Sequence, residues 1–313
     1  MTGFRRGAAL ALMMGGLAAC GPPRGEGRTG TSGESDPAFP VTIEAADGPV
    51  EIPSRPERIV SLSATSTEIL FAVAAGDQVV AADETSNYPA NAPTTKLSGF
   101  DPNVEALLEF DPDLVVMSED PGDLVVSLDR FDVPALVHPA ATTLADTYAQ
   151  IKELGEATGH PAKAEQLVVS MRTRIRNIIG TVPTPSKPLA YYHELDESYF
   201  TVTSDTFIGE VYSLVGLENI ADQAAGAASG YPQLSAEYII DANPDLIFLA
   251  DTKCCGVSAE SVAARPGWGA ITAVRTGGVV PLDDDVASRW GPRIVDLLEV
   301  VASAVRDRRE DAA

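Results

Sequence analysis

Two glutamates in a repeated setting are the first residues that invite a chemical reading. Residues 103–116 read NVEALLEFDPDLVV and residues 235–248 read SAEYIIDANPDLIF, at a constant offset of 132. Glu105 aligns with Glu237, Leu107-Leu108 with Ile239-Ile240, and Pro112-Asp113-Leu114 with Pro244-Asp245-Leu246. In each copy the pattern predicts a short amphipathic helix, stopped by proline, that drops into a buried strand. A first-turn glutamate is favoured by the helix dipole whether or not it meets a partner. The ungapped register nevertheless points to a true duplication, with one carboxylate at a matching place on each of two similar lobes.

The other reactive side chains are few. Three Cys and three His are too few for a disulfide scaffold or a Cys/His metal cluster. His138, His160 and His193 are scattered, so a zinc or manganese site has no visible ligand set. His193 lies in a Tyr-Tyr-His-Glu strand and is either a packing residue or a ligand to iron or cobalt. Cys254-Cys255 leaves three readings open: a strained vicinal disulfide, two thiols, or a thiolate contact to a metal centre. Arg289 either pairs with the neighbouring Asp283-Asp284-Asp285 run or offers a fork to an anionic ligand. No phosphate-binding loop, dinucleotide fingerprint, nucleophile elbow or H-E-x-x-H motif is present. The many carboxylates offer no spacing that singles out a catalytic pair, so an enzyme is the weaker reading.

The elements that position these residues alternate. Apolar strands Ile59–Ser63, Val79–Ala82, Leu114–Met117 and Ala135–Val137 are separated by helical stretches, after an edge hairpin at 41–52. The rhythm restarts at Leu189–His193 and closes on a C-terminal helix. Between the halves, Pro161 opens a long helix, with Ala164, Leu167, Val168, Met171, Ile175, Ile178 and Ile179 on one face. The expected fold is α/β: two Rossmann-like lobes with mostly parallel sheets, joined by that helix, with a ligand cleft between them. The divisions are 1–19, 20–39, 40–160, 161–181 and 182–313. The first two are a leader with a positive start and a short apolar run, then a tether rich in Gly, Pro, Ser and Thr. The net charge of −23 over 313 residues argues against a nucleic-acid partner.

Several segments together carry a family resemblance. Leu17-Ala18-Ala19-Cys20 ends the apolar run like a bacterial lipobox. Arg58–Ser63 with Glu68, Ser86-Asn87-Tyr88-Pro89, Phe207-Ile208-Gly209, Gly216-Leu217-Glu218-Asn219, Arg265-Pro266-Gly267-Trp268 and Trp290-Gly291-Pro292-Arg293 join the two glutamate segments in order. The chain resembles the solute-binding lipoproteins of ABC importers, in the group that carries vitamin B12, ferric siderophores or heme. The resemblance implies an extracytoplasmic protein, lipidated at Cys20 and so held at the cell membrane. It implies a monomer without cofactor that delivers a metal chelate to a permease and, through it, an ATPase. A cobalamin-like corrinoid is favoured, a ferric siderophore or heme being the alternative. Glu105 and Glu237 match the surface glutamates that dock on permease arginines.

The same resemblance places the ligand at facing strand ends. Candidates there are Ser63, Thr65, Thr85, Tyr88, Phe100, Tyr192, His193, Tyr231, Arg289 and Trp290. The B12 receptors of the family carry an aromatic residue shortly before each docking glutamate. Tyr231 keeps that place, Phe100 is one residue off because Gly99 occupies it, and Thr85 stands where another B12-contacting tyrosine is expected. For each aromatic, core packing is the competing reading.

Overall fold

The computed structural model describes residues 38–46, 48–183 and 187–310. The leader, Cys20 and nearly all of the tether lie outside the described residues. A hairpin of β1 (Val41–Ala45) and β2 (Gly48–Ile52) precedes two four-stranded parallel sheets. The first holds β3 (Ile59–Leu62), β4 (Val79–Ala82), β5 (Leu114–Met117) and β6 (Ala135–Val137), in the order β4-β3-β5-β6. The second holds β7 (Leu189–Glu194), β8 (Leu217–Asn219), β9 (Leu246–Leu249) and β10 (Val279–Pro281), in the order β8-β7-β9-β10. In each sheet the first strand lies between the second and third, so both lobes share one topology. Such parallel strands read as continuous apolar runs because helices cover both faces.

The offset of 132 survives at atomic detail. Leu114 and Leu246 both open the third strand of their sheet. The Asp113 backbone N–H donates to the Arg58 carbonyl, and the Asp245 N–H to the Ala190 carbonyl. In return the Asp113 carboxylate accepts from the N–H groups of Glu57 and Arg58, and the Asp245 carboxylate from that of Ala190. The repeated Pro-Asp-Leu is thus a staple that fixes where the first and third strands begin.

Some boundaries differ from the sequence expectation. The strand expected to run to Ser63 stops at Leu62, and the first helix begins at Ala64, because the Ser63 hydroxyl caps it by accepting from the Ser66 N–H. It ends at Ala72, and Ala74 in the left-handed region turns the chain before Gly76. A helix at Leu144–Ala157 lies where no element was expected; Thr143 and Asp146 close its first turn as a reciprocal capping box.

The helix Pro161–Thr181 buries Ala164, Val168, Met171, Ile175 and Ile178. It packs against Leu144–Ala157 on one side and the C-terminal helix Ile294–Glu310 on the other. At about 1.5 Å per residue it is near 31 Å long. One apolar cluster runs through it from Ile69 and Leu136 of the first lobe to Phe248 and Leu298 of the second. A smaller core fills the far side of each sheet, around Leu107 and Met117 in one and Ile239 and Trp268 in the other. Lobes that share a packed core have little freedom to hinge widely, since interiors are close-packed. Among the described residues no helix is long and apolar enough to cross a membrane.

Candidate functional site

A cavity of about 370 Å³ opens between the lobes. Its floor comes from the carboxyl ends of β3, β4 and β5, through Leu62, Ser63, Asp83, Ser118 and Glu119. Strand carboxyl ends are where open parallel sheets present their ligands, because backbone groups and helix N-termini converge there. Thr65, Thr85, Gly99 and Phe100 complete the first-lobe wall, and Asp285, Ser288, Arg289 and Trp290 supply the second-lobe wall. Phe100 is 76% exposed, a large apolar ring left facing solvent. Gly99 has a steric reason to be glycine: a Cβ there would collide with the Leu62 carbonyl oxygen. The aromatic of this wall therefore stands at 100.

Six expected ligand residues, Ser63, Thr65, Thr85, Phe100, Arg289 and Trp290, line this one cavity. Tyr88 and Tyr231 do not line it, but both are solvent-facing rings; Tyr231 is 51% exposed. The Arg293 guanidinium covers the Tyr88 ring, 4.2 Å from its centroid. Phe200 is a further exposed ring that sequence reasoning passes over. Its segment runs beside that of Tyr231, through Thr201 N–H to Pro232 carbonyl and a bridge between Phe200 and Gln233. The available signal was a bulky aromatic in the polar turn directly after a buried strand.

Tyr192 and His193, expected at the cleft, are not cleft residues: both are sealed in the second-lobe core. Tyr192 packs edge-on to Trp268, with ring centroids 6.3 Å apart. His193 shares a 2.7 Å hydrogen bond through Nδ1 with the Tyr212 hydroxyl, and burial pushes its pKa down to about 3. A neutral, enclosed imidazole cannot reach a ligand in the cleft. The reason is strand depth: these residues fall within β7, before its carboxyl end.

Arg289 is also not the free fork that an anionic ligand would need. Its Nη1 donates to Glu68 at 2.8 Å and to Asn87 at 2.9 Å. Its Nη2 donates to the Thr85 carbonyl and to Asp285, both at 2.9 Å. Glu68, Thr85 and Asn87 belong to the first lobe, so this second-lobe arginine bridges the cleft. Arg293 joins it, with Nε donating to Glu68 at 2.9 Å. Asn87 donates to Asp285 and Trp290 to Gln150, adding two more ties between the lobes. Burial pushes the Asp285 carboxyl up, but the Lys253 hydrogen bond and the Arg289 charge hold it below its ordinary value.

Below the second-lobe wall lies a buried acid pair. Arg265 grips Glu194 bidentately, at 2.6 Å through each terminal nitrogen. Asp251 is fully buried, and neither of its oxygens has a partner that donates to it. Burial, then the Glu194 charge, push its pKa up to about 7. The guanidinium is thus taken up by Glu194, and Asp251 feels it only at a distance. Cys254 and Cys255 are disulfide-bonded on the exposed turn Thr252–Cys255, whose N–H groups at 252, 253 and 254 donate to Asp284. Among the described residues no group of three or more His, Cys, Asp or Glu is placed to hold a metal ion.

Glu105 and Glu237 stand exposed in the first turns of Val104–Leu108 and Ala236–Ala242. Asn103 caps one helix by accepting from the Ala106 N–H, and Ser235 caps the other by accepting from the Tyr238 N–H. Residues 103 and 235, and 106 and 238, again differ by 132.

Comparison with known proteins gives a family match. The model of a periplasmic binding protein family matches residues 59–286. The chain is 32% identical over 308 residues to an uncharacterised ABC transporter substrate-binding lipoprotein, YvrC, of Bacillus subtilis, covering 95% of each chain. It is 31% identical over 281 residues to a cobalamin-binding protein of Halobacterium salinarum, covering 85% of this chain and 74% of that one. Among solved structures, the periplasmic heme-binding protein RhuT of Roseiflexus sp. RS-1 superposes with a TM-score of 0.69 at 25% identity, covering 81% of this chain and 99% of the other.

Proposed function

The chain belongs to the periplasmic binding protein family, and from that premise we propose that it captures an uncharged, corrinoid-like metal chelate outside the cytoplasm and hands it to an ABC permease. The observation that carries the choice of ligand is the state of Arg289. It is the one cation among the described residues lining the cavity, and four acceptors take up its terminal N–H groups. Asp83, Glu119 and Asp285 line the same space. Heme propionates or the carboxylates of an anionic siderophore would meet carboxylates here and find no free guanidinium fork. A ligand with a flat ring and many amide groups fits better: exposed Phe100, Tyr88, Tyr231 and Phe200 offer ring faces, and the carboxylates accept amide hydrogens.

Binding proceeds without chemistry on the ligand. The shared core and the polar ties across the cleft limit lobe closure to small angles. Glu105 and Glu237, each on a capped helix of a rigid lobe, present two carboxylates to permease arginines, where charge pairs set register and encounter rate. Anchoring through a lipidated Cys20 would keep the receptor at the membrane surface. A competition experiment tests the ligand: cyanocobalamin is bound first, then hemin or a ferric carboxylate siderophore is added while visible absorbance is followed. Retention of the corrinoid supports the reading, and its displacement by an equimolar anionic chelate contradicts it.

A further inference from the structure

The residue behind the cleft arginine is as informative as the arginine itself. Glu68 sits in the helix Ala64–Ala72 of the first lobe, does not line the cavity, and has a side chain only 1% exposed. Its carboxylate receives both Arg289 and Arg293. The Arg289 side chain is 9% exposed, so it shows the cavity only an edge. The charged groups paired around it are Glu68 and Arg293 behind and Asp285 beside, with Lys253 and Asp283 beyond Asp285, while Asp83 and Glu119 line the same cavity. Two guanidiniums are thus balanced by Glu68 and Asp285. A carboxylate enclosed with its partners in this way interacts strongly, because the surroundings screen it poorly.

We propose, building on the cleft reading above, that Glu68 is a specificity-determining positioning residue: by holding Arg289 from behind and neutralising it, Glu68 makes the cavity reject anionic chelates. Loss of the Glu68 charge leaves two guanidiniums against Asp285 at the cavity edge. The site then becomes one charge less negative without any change in the residues that face the ligand. A purely structural tie between lobes predicts only loss when it is cut, whereas a charge filter predicts a gain for the excluded class of ligand.

The test compares the intact chain with Glu68→Gln, a substitution of nearly the same shape that still accepts hydrogen bonds. Hemin serves as the anionic probe and cyanocobalamin as the neutral one. Hemin affinity is expected to rise about tenfold in the variant and to lose that gain at high salt, while cyanocobalamin gains nothing. Adding Arg289→Gln to Glu68→Gln removes the gain. If Glu68→Gln does not fold, Glu68→Met, of similar length and without charge, carries the same expectation. The proposal is overturned if a folded variant binds hemin no better than the unaltered chain, or if the gain survives the loss of Arg289. Failure of the unaltered chain to bind cyanocobalamin counts against the corrinoid reading alone, because the Glu68 claim is read from the hemin ratio.

Discussion

Glu105 and Glu237 occupy equivalent positions in two copies of one structural unit: each is the second residue of a capped helix that leads through Pro-Asp into the third strand of its sheet. The equivalence extends to the aspartate staples behind them. On the docking proposal, this matched pair of exposed carboxylates, one on each lobe, would let a permease gauge lobe separation. The double variant Glu105→Ala with Glu237→Ala should abolish ligand uptake while leaving ligand affinity and melting temperature unchanged. Uptake assays in cells beside a titration of the purified variant check this, and normal uptake would remove the docking role.

The staples make a stability prediction. Asp113→Ala leaves the Glu57 and Arg58 N–H groups without their acceptor, and Asp245→Ala does the same to Ala190. Each should cost about 1 kcal/mol in urea unfolding, the net worth of a hydrogen bond in a partly solvated place. Asp245 is the less exposed of the two and should cost more.

The aromatic residues divide into cleft and core, and variants should divide the same way. Phe100→Ala and Tyr231→Ala should weaken ligand binding about tenfold or more with little change in stability, as expected for exposed rings. Tyr192→Ala should cost about 3–5 kcal/mol through the void it leaves, with ligand affinity unchanged in protein that remains folded. Tyr192→Phe should be close to neutral, because the Tyr192 hydroxyl has no hydrogen-bond partner. Calorimetry and thermal melts separate the two groups.

Asp251 and His193 give opposite pH dependences. Burial and then Glu194 raise the folded-state pKa of Asp251 to about 7, so the folded state holds a proton that the unfolded chain releases near pH 4. Its contribution is complete below about pH 4, falls as pH rises, and is gone above about pH 7. Burial lowers His193 to about 3, so its contribution is complete above about pH 6.5 and falls as pH drops toward 3. Between pH 4 and 6.5 the two oppose each other. Asp251→Asn should therefore leave the loss on acidification unmasked and flatten the change between about pH 6.5 and 7. Urea midpoints across this range decide it: unchanged slopes in the variant would show that Asp251 is ionised throughout.

Much of the architecture is readable from local pattern. The short runs at 59–62, 79–82, 114–117 and 246–249 are legible as strands because parallel strands covered on both faces read as nearly continuous apolar segments. The duplicated Glu and Pro-Asp-Leu segments announce two lobes of one design. The helix Leu144–Ala157 is less legible because Thr147 and Gln150 share its buried face with Leu144, Tyr148, Ile151 and Leu154. The bond between Arg289 and Glu68 joins residues 221 positions apart, so no window of sequence contains it. His193 and Tyr192 show the limit most clearly: their types suit a binding site, but their depth in β7 is a tertiary property.

The most direct test of the cleft reading is a fluorescence titration of residues 21–313 with cyanocobalamin. Of the chain's two tryptophans, Trp290 lines the cavity and Trp268 is enclosed in the second-lobe core. The account predicts saturable quenching at one ligand per chain, retained in Trp268→Phe, lost in Trp290→Phe, with the ligand recovered unchanged. The absence of saturable binding, or quenching carried by Trp268 alone, would contradict it.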